Sequence, residues 1–126
     1  LTEKGCARLA VALRTNKSLL ELSVAGNGAE EFAAETYSGS LGMNTTLKIL
    51  NLAVSSIGDR GAMHLAAALE SNRSLTNLSL AENGIHGRGA RRLAEALEKN
   101  KGLKYLDLGY NTIGQAGVQR LWEALD

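Results

Sequence analysis

The residues best equipped for chemistry are few and far apart. The 126-residue chain holds one cysteine, Cys6, and two histidines, His64 and His86. A thiol beside an imidazole can form a nucleophile–base pair, and convergent imidazoles can hold a metal; both need a defined set of partners. The chain has no C-x-x-C and no H-x-x-x-H, and no glycine-rich phosphate loop stands in a proper frame. The stretches IGDRG from Ile57 and IHGRG from Ile85 carry glycines but read as helix starts. Cys6 falls at the same repeat position as Ala34, Ala62, Ala90 and Val118, which marks it as a small core residue. His64 falls with Arg8, Arg92 and Arg120 on an exposed outer face. The sequence therefore predicts no enzyme, no metal and no cofactor.

What remains is chemistry of contact. Tyr105, Tyr110, Asp107 and Glu82 combine large rigid rings with hydrogen-bonding groups, a composition suited to a protein interface. The elements that position them emerge from a repeat. LLELSVAGN from Leu19, LKILNLAVS from Leu47, LTNLSLAEN from Leu75 and LKYLDLGYN from Leu103 start 28 residues apart. Each opens L-x-x-L-x-L, whose last two leucines alternate as in a short strand with one buried face. Each then continues with apolar residues at helical spacing, such as Ala62, Leu65, Ala66 and Leu69. Leu1, Gly5, Leu9, Leu13 and Asn16 match the helical half alone. One strand and one helix cannot bury their faces by themselves, so successive units must stack. Identical connections make the strands parallel, and helices, being wider than strands, curve the stack with strands inside.

Turn residues recur at the same period. Asn16, Asn44, Asn72 and Asn100 follow each helical run, where an asparagine can take the left-handed conformation that ends a helix. Asn27, Asn83 and Asn111 follow the strands, where a buried amide can bond the backbone of neighbouring turns; Ser55 interrupts this set. Gly28, Gly58, Gly84 and Gly114 sit where a tight bend calls for a positive φ. The second unit departs from the pattern. Ala29 and Ala33 replace an isoleucine and a glycine, and Thr36, Tyr37, Ser38, Gly39, Ser40 and Gly42 weaken its helix, which is expected to be shorter, irregular or mobile.

The pattern LxxLxLxxNxIGxxGAxxLAxAL resembles the ribonuclease-inhibitor type of leucine-rich repeat, the type found in NOD-like receptors, Ran GTPase-activating proteins and ribonuclease inhibitor. The match runs from Leu1 to Leu125. The resemblance implies a right-handed α/β solenoid with parallel strands concave and helices convex. The domain reading is a single unit, 1–126, with a half repeat 1–18 and repeats 19–46, 47–74, 75–102 and 103–126. Because the chain opens on Leu1, it reads as a piece of something longer.

The strand alternation predicts the concave face. Its outward residues are Glu21 and Ser23, Ile49 and Asn51, Asn77 and Ser79, then Tyr105 and Asp107, with Val54, Glu82 and Tyr110 just past the strands. Three-residue strands at a spacing of about 4.8 Å offer a few hundred Å². A standard interface needs about 800 Å² per partner, so turns or further repeats must join the contact. The functional expectation is a non-catalytic protein-interaction module of a larger sensor, scaffold or regulator. The alternative is a GTPase-activating or enzyme-inhibiting protein, since the same repeat type serves both.

Composition narrows the partners. With 44% hydrophobic residues, 21% charged residues and a net charge of +1, the chain is neither disordered nor a polybasic nucleic-acid binder. No apolar run approaches the roughly 20 residues of a membrane span, and no signal-peptide pattern opens the chain. A reduced, cytoplasmic setting follows from the lack of a disulfide framework. On the outer face, Arg60, Arg88, Arg91 and Arg92 crowd the helix starts and Glu70, Glu95 and Glu98 the helix ends, with Arg91 and Glu95 spaced for an i,i+4 pair. The outermost strands are open edges, and Trp122 stands at a position held by Ala66 and Ala94. End-to-end association through these open ends is expected.

Overall fold

The computed structural model describes residues 1–27 and 30–125. The expectations for Gly28 and Ala29 lie outside the described residues. In chain order the elements are α1 (Glu3–Thr15), β1 (Glu21–Ser23), α2 (Glu30–Leu41), β2 (Ile49–Asn51), α3 (Gly58–Ser71), β3 (Asn77–Ser79), α4 (Gly87–Lys99), β4 (Tyr105–Asp107) and α5 (Gly114–Ala124). The strands form one sheet in the order β1-β2-β3-β4. All neighbours are parallel, and the register steps by one repeat: Leu22 pairs with Leu50, Leu50 with Leu78, and Leu78 with Leu106. The fold is thus a short α/β arc, one strand and one helix per unit.

The core lies between the sheet and the helix layer. Leu50, Leu52, Leu78 and Leu80 point inward from the strands and are fully buried, as are Leu65, Leu69, Leu93 and Ala94 from the helices. Each helix packs closely on the one before it. At Gly61 an added Cβ would lie 2.9 Å from the Cβ of Ala34, and at Gly89 it would lie 3.1 Å from that of Ala62. Any larger residue there would push adjacent helices apart. Cys6 is buried in this core. Tyr37 occupies a leucine position and is likewise fully buried, but its hydroxyl has no hydrogen-bond partner among the described residues. Burial, with Cys6 close by, pushes that phenol well above the ordinary tyrosine range.

The asparagines that follow the helices do not act as left-handed caps. Asn16, Asn72 and Asn100 are extended, with ψ of 130°, 128° and 114°. From the second unit on, the side-chain amides at this position instead join one repeat to the next, while that of Asn16 bonds only the amides of Ser18 and Leu19. Asn72 Nδ2 donates to the carbonyls of Leu41 (2.8 Å) and Asn44 (3.1 Å), and its Oδ1 accepts from the amides of Ser74 (3.1 Å) and Leu75 (2.9 Å). Asn44 and Asn100 repeat the arrangement. Two members of the second set behave as expected: Asn83 Nδ2 donates to the Leu52 carbonyl, and Asn111 Nδ2 to that of Leu80, both at 2.9 Å, whereas Asn27 Nδ2 donates to Val24 and Ala25 within its own turn. Among the described residues the Ser55 hydroxyl reaches only the Ala53 carbonyl.

The second unit also corrects an expectation. α2 is a continuous helix of 12 residues, comparable with its neighbours, and Gly42 lies beyond its end. Packing overrides the weak propensity. Ala33, Ala34, Tyr37 and Leu41 are buried, and the Ser40 hydroxyl donates across to the Ala10 carbonyl of α1 at 2.8 Å.

Candidate functional site

The outward face of the sheet presents two rows set by the strand register. One is Glu21, Ile49, Asn77 and Tyr105; the other is Ser23, Asn51, Ser79 and Asp107. Each row spans four strands, about 14 Å at the usual strand spacing. The middle of the face is half-buried, and exposure rises toward the ends: Glu21 and Ser23 on one edge, Tyr105 on the other. The second row is held in place. Ser79 Oγ donates to Asp107 Oδ2 at 3.3 Å, while Asp107 Oδ1 accepts from the Gly109 amide at 2.9 Å. Asn51 Oδ1 accepts from the Ala53 amide in the same way. Asp107 is therefore an anchored acceptor on the surface, engaged by the Ser79 hydroxyl and the Gly109 amide.

A third row lies where the strands end. Gly26, Val54, Glu82 and Tyr110 occupy equivalent positions, and all four are left-handed, with φ of 73°, 56°, 52° and 55°. The backbone must turn there while its amides still complete the ladder: Gly26 N donates to Ala53 O, Val54 N to Ala81 O and Glu82 N to Gly109 O. Only Gly26 adopts this conformation without steric cost. A β-branched residue such as Val54 is an outlier at positive φ. The turn lifts the three side chains into solvent; Val54 is 49% exposed and Tyr110 is 90% exposed. Sequence alternation placed these residues on the face but carried no sign of the shared left-handed turn. Gly26 was missed as its first member, and the step of 28 from Gly26 to Val54 was the available signal.

The helix layer is bridged by charge. Glu31 meets Arg60 at 3.5 Å and His64 at 4.0 Å, so His64 is half-buried beside an acid rather than freely exposed. Glu70 accepts from Lys99 (2.9 Å) and Arg92 (2.6 Å). Those two cations hold its carboxyl below the ordinary carboxylate range. Arg92, not Arg91, is the partner of Glu95. Asp59 was missed by sequence reasoning. Its Oδ1 accepts from the amides of His86 (2.8 Å) and Gly89 (2.9 Å), capping α4 from the preceding helix. At the far end, Val118, Trp122 and Leu125 are 59%, 67% and 68% exposed, so Trp122 does not fold over to cover that end.

Among the described residues no group of three metal-ligating side chains converges, and no helix is long and apolar enough to cross a membrane. What the site offers chemically is a hydrogen-bonding, tyrosine-bearing surface.

A family model described as Leucine Rich repeat matches residues 44–66, 71–94 and 99–121. No curated protein matches the chain significantly. Among solved structures, the leiomodin-1 actin-binding site 2 superposes with a TM-score of 0.85 at 22% identity, covering 94% of this chain and 70% of that one. The tropomodulin C-terminal domain of Caenorhabditis elegans superposes with a TM-score of 0.62 at 17% identity, covering 98% and 90%. At these identities the likeness is one of fold.

Proposed function

The chain belongs to the leucine-rich repeat family, and from that premise we propose that it is a non-catalytic module that binds a partner protein on its concave face. The observation that carries this reading is the triple row of outward residues ending in the left-handed ridge Val54, Glu82 and Tyr110. Tyr105 and Tyr110 are its anchors. Both are largely solvated, so docking can desolvate two aromatic rings and pair their hydroxyls. Glu21, Ser23, Ile49, Asn51, Asn77, Ser79 and Asp107 surround them and set complementarity. Leiomodin-1, whose matched segment is described as an actin-binding site, makes actin the first protein to test.

The test is binding of labelled monomeric actin, followed by affinity capture if actin does not bind. The double variant Tyr105→Ala/Tyr110→Ala should weaken capture of the partner at least tenfold and leave the far-UV spectrum unchanged. A partner held equally well by the double variant removes the proposed face. The open end adds a second contact: exposed Val118, Trp122 and Leu125 favour end-to-end association at high concentration. Sedimentation showing a strict monomer at millimolar concentration would rule it out.

A further inference from the structure

An open cleft of about 830 Å³ lies in the helix layer between the first turns of α4 and α5. Arg88 and Arg91 reach it from α4 and Arg120 from α5, with Gly87, Gly114 and Gly117 also lining it. Arg120 is paired with Glu98. Arg88 and Arg91 have no carboxylate within ion-pair distance among the described residues. Among the described residues Glu123 is the one acid lining the cleft, and Gln119 on its own helix hydrogen-bonds it at 3.0 Å.

The neighbouring repeats show what such a place ordinarily holds. One position in the first helical turn carries an acid that reaches the next helix. In α2 it is Glu31, which meets Arg60 and His64. In α3 it is Asp59, whose carboxylate takes the amides of His86 and Gly89. In α4, one period further on, it is Gly87. The joint between α4 and α5 therefore has the arginines, the space and the equivalent helix start, but Gly87 places no carboxylate in the first turn of α4.

We infer that this cleft receives an aspartate or glutamate side chain from an acidic segment of a partner protein. The fit is one of charge: guanidinium groups pair with carboxylates through parallel hydrogen bonds, and two of the arginines are not engaged by one. The first turn of α5, which no side chain caps, adds a favourable dipole. The site belongs to the helix layer and does not depend on the concave-face reading.

Fluorescence anisotropy of labelled hexaglutamate, with hexalysine as control, tests it on the whole chain. Hexaglutamate should bind and weaken as salt rises, and hexalysine should not bind. Arg88→Glu/Arg91→Glu should lose at least tenfold in affinity. Gly87→Asp supplies the missing acid from within; it should lose at least tenfold in binding while raising the thermal midpoint by about 4 °C, as a new cap does. Gly87→Ala adds the same Cβ, 3.2 Å from the Ile113 carbonyl oxygen, without charge, and should bind within about twofold of the parent. Tyr105→Ala/Tyr110→Ala should also bind hexaglutamate like the parent, which separates this site from the concave face. No hexaglutamate binding, or binding that the arginine reversals leave unchanged, overturns the assignment.

Discussion

Replacing Asn72 tests whether the recurrent asparagines join repeats or merely end helices. Asn72 is 4% exposed and makes four good hydrogen bonds to backbone groups, two of them to carbonyls of the preceding repeat. Asn72→Ala would strand two carbonyls and two amides. At about 1 kcal/mol per net bond, the loss should be about 3–4 kcal/mol, a large share of a typical domain stability of about 5–15 kcal/mol. Asn16 provides the internal control. It holds the equivalent position, but its Oδ1 bonds only the amides of Ser18 and Leu19, in contact with water. Asn16→Ala should cost less than about 1 kcal/mol. Urea unfolding followed by far-UV circular dichroism measures both, provided the denaturant slope stays constant. Asn72→Gly sharpens the comparison, because a left-handed cap would tolerate glycine and an inter-repeat bridge would not. Equal losses at positions 16 and 72, or a harmless Asn72→Gly, would refute the bridging argument.

Further outcomes follow from individual side chains. Tyr37→Phe removes a buried hydroxyl without a partner and should stabilise the chain by about 1 kcal/mol at neutral pH. The raised pKa of Tyr37 means that folding favours the neutral phenol; this contribution is whole below about pH 10 and is lost as pH climbs toward the folded-state value. Stability measured against pH should thus fall faster above pH 10 for the parent than for Tyr37→Phe. Val54→Gly relieves a left-handed valine with φ of 56° and should gain about 0.5–1 kcal/mol after the added chain entropy of glycine, read as a higher urea midpoint. Leu78→Ala, in a fully buried position between two strands, should cost about 2–5 kcal/mol. Leu106→Ala should cost about half as much, because β4 is an edge and Leu106 is only half-buried; equal losses in calorimetry would contradict that gradient.

The architecture was legible in the order of residues because its information is local and periodic. Leucines at strand spacing, alanines and leucines at helical spacing, and a step of 28 residues dictate parallel strands and stacked helices before any contact is known. The same periodicity located the outward positions from Glu21 to Tyr110 and the buried state of Cys6. Tertiary structure alone decided what depends on groups that meet across repeats. The role of Asn72 lies in carbonyls 31 and 28 residues upstream. The regularity of α2 comes from packing against its neighbours, which outweighs its glycine and hydroxyl residues. The left-handed turn shared by Val54, Glu82 and Tyr110 follows from completing the ladder while leaving the sheet, a demand no side-chain pattern encodes. The place of Gly87 acquires meaning only once Asp59 is seen gripping the next helix. A repeat specifies where each side chain stands within its own unit; which groups it touches depends on how closely the units stack.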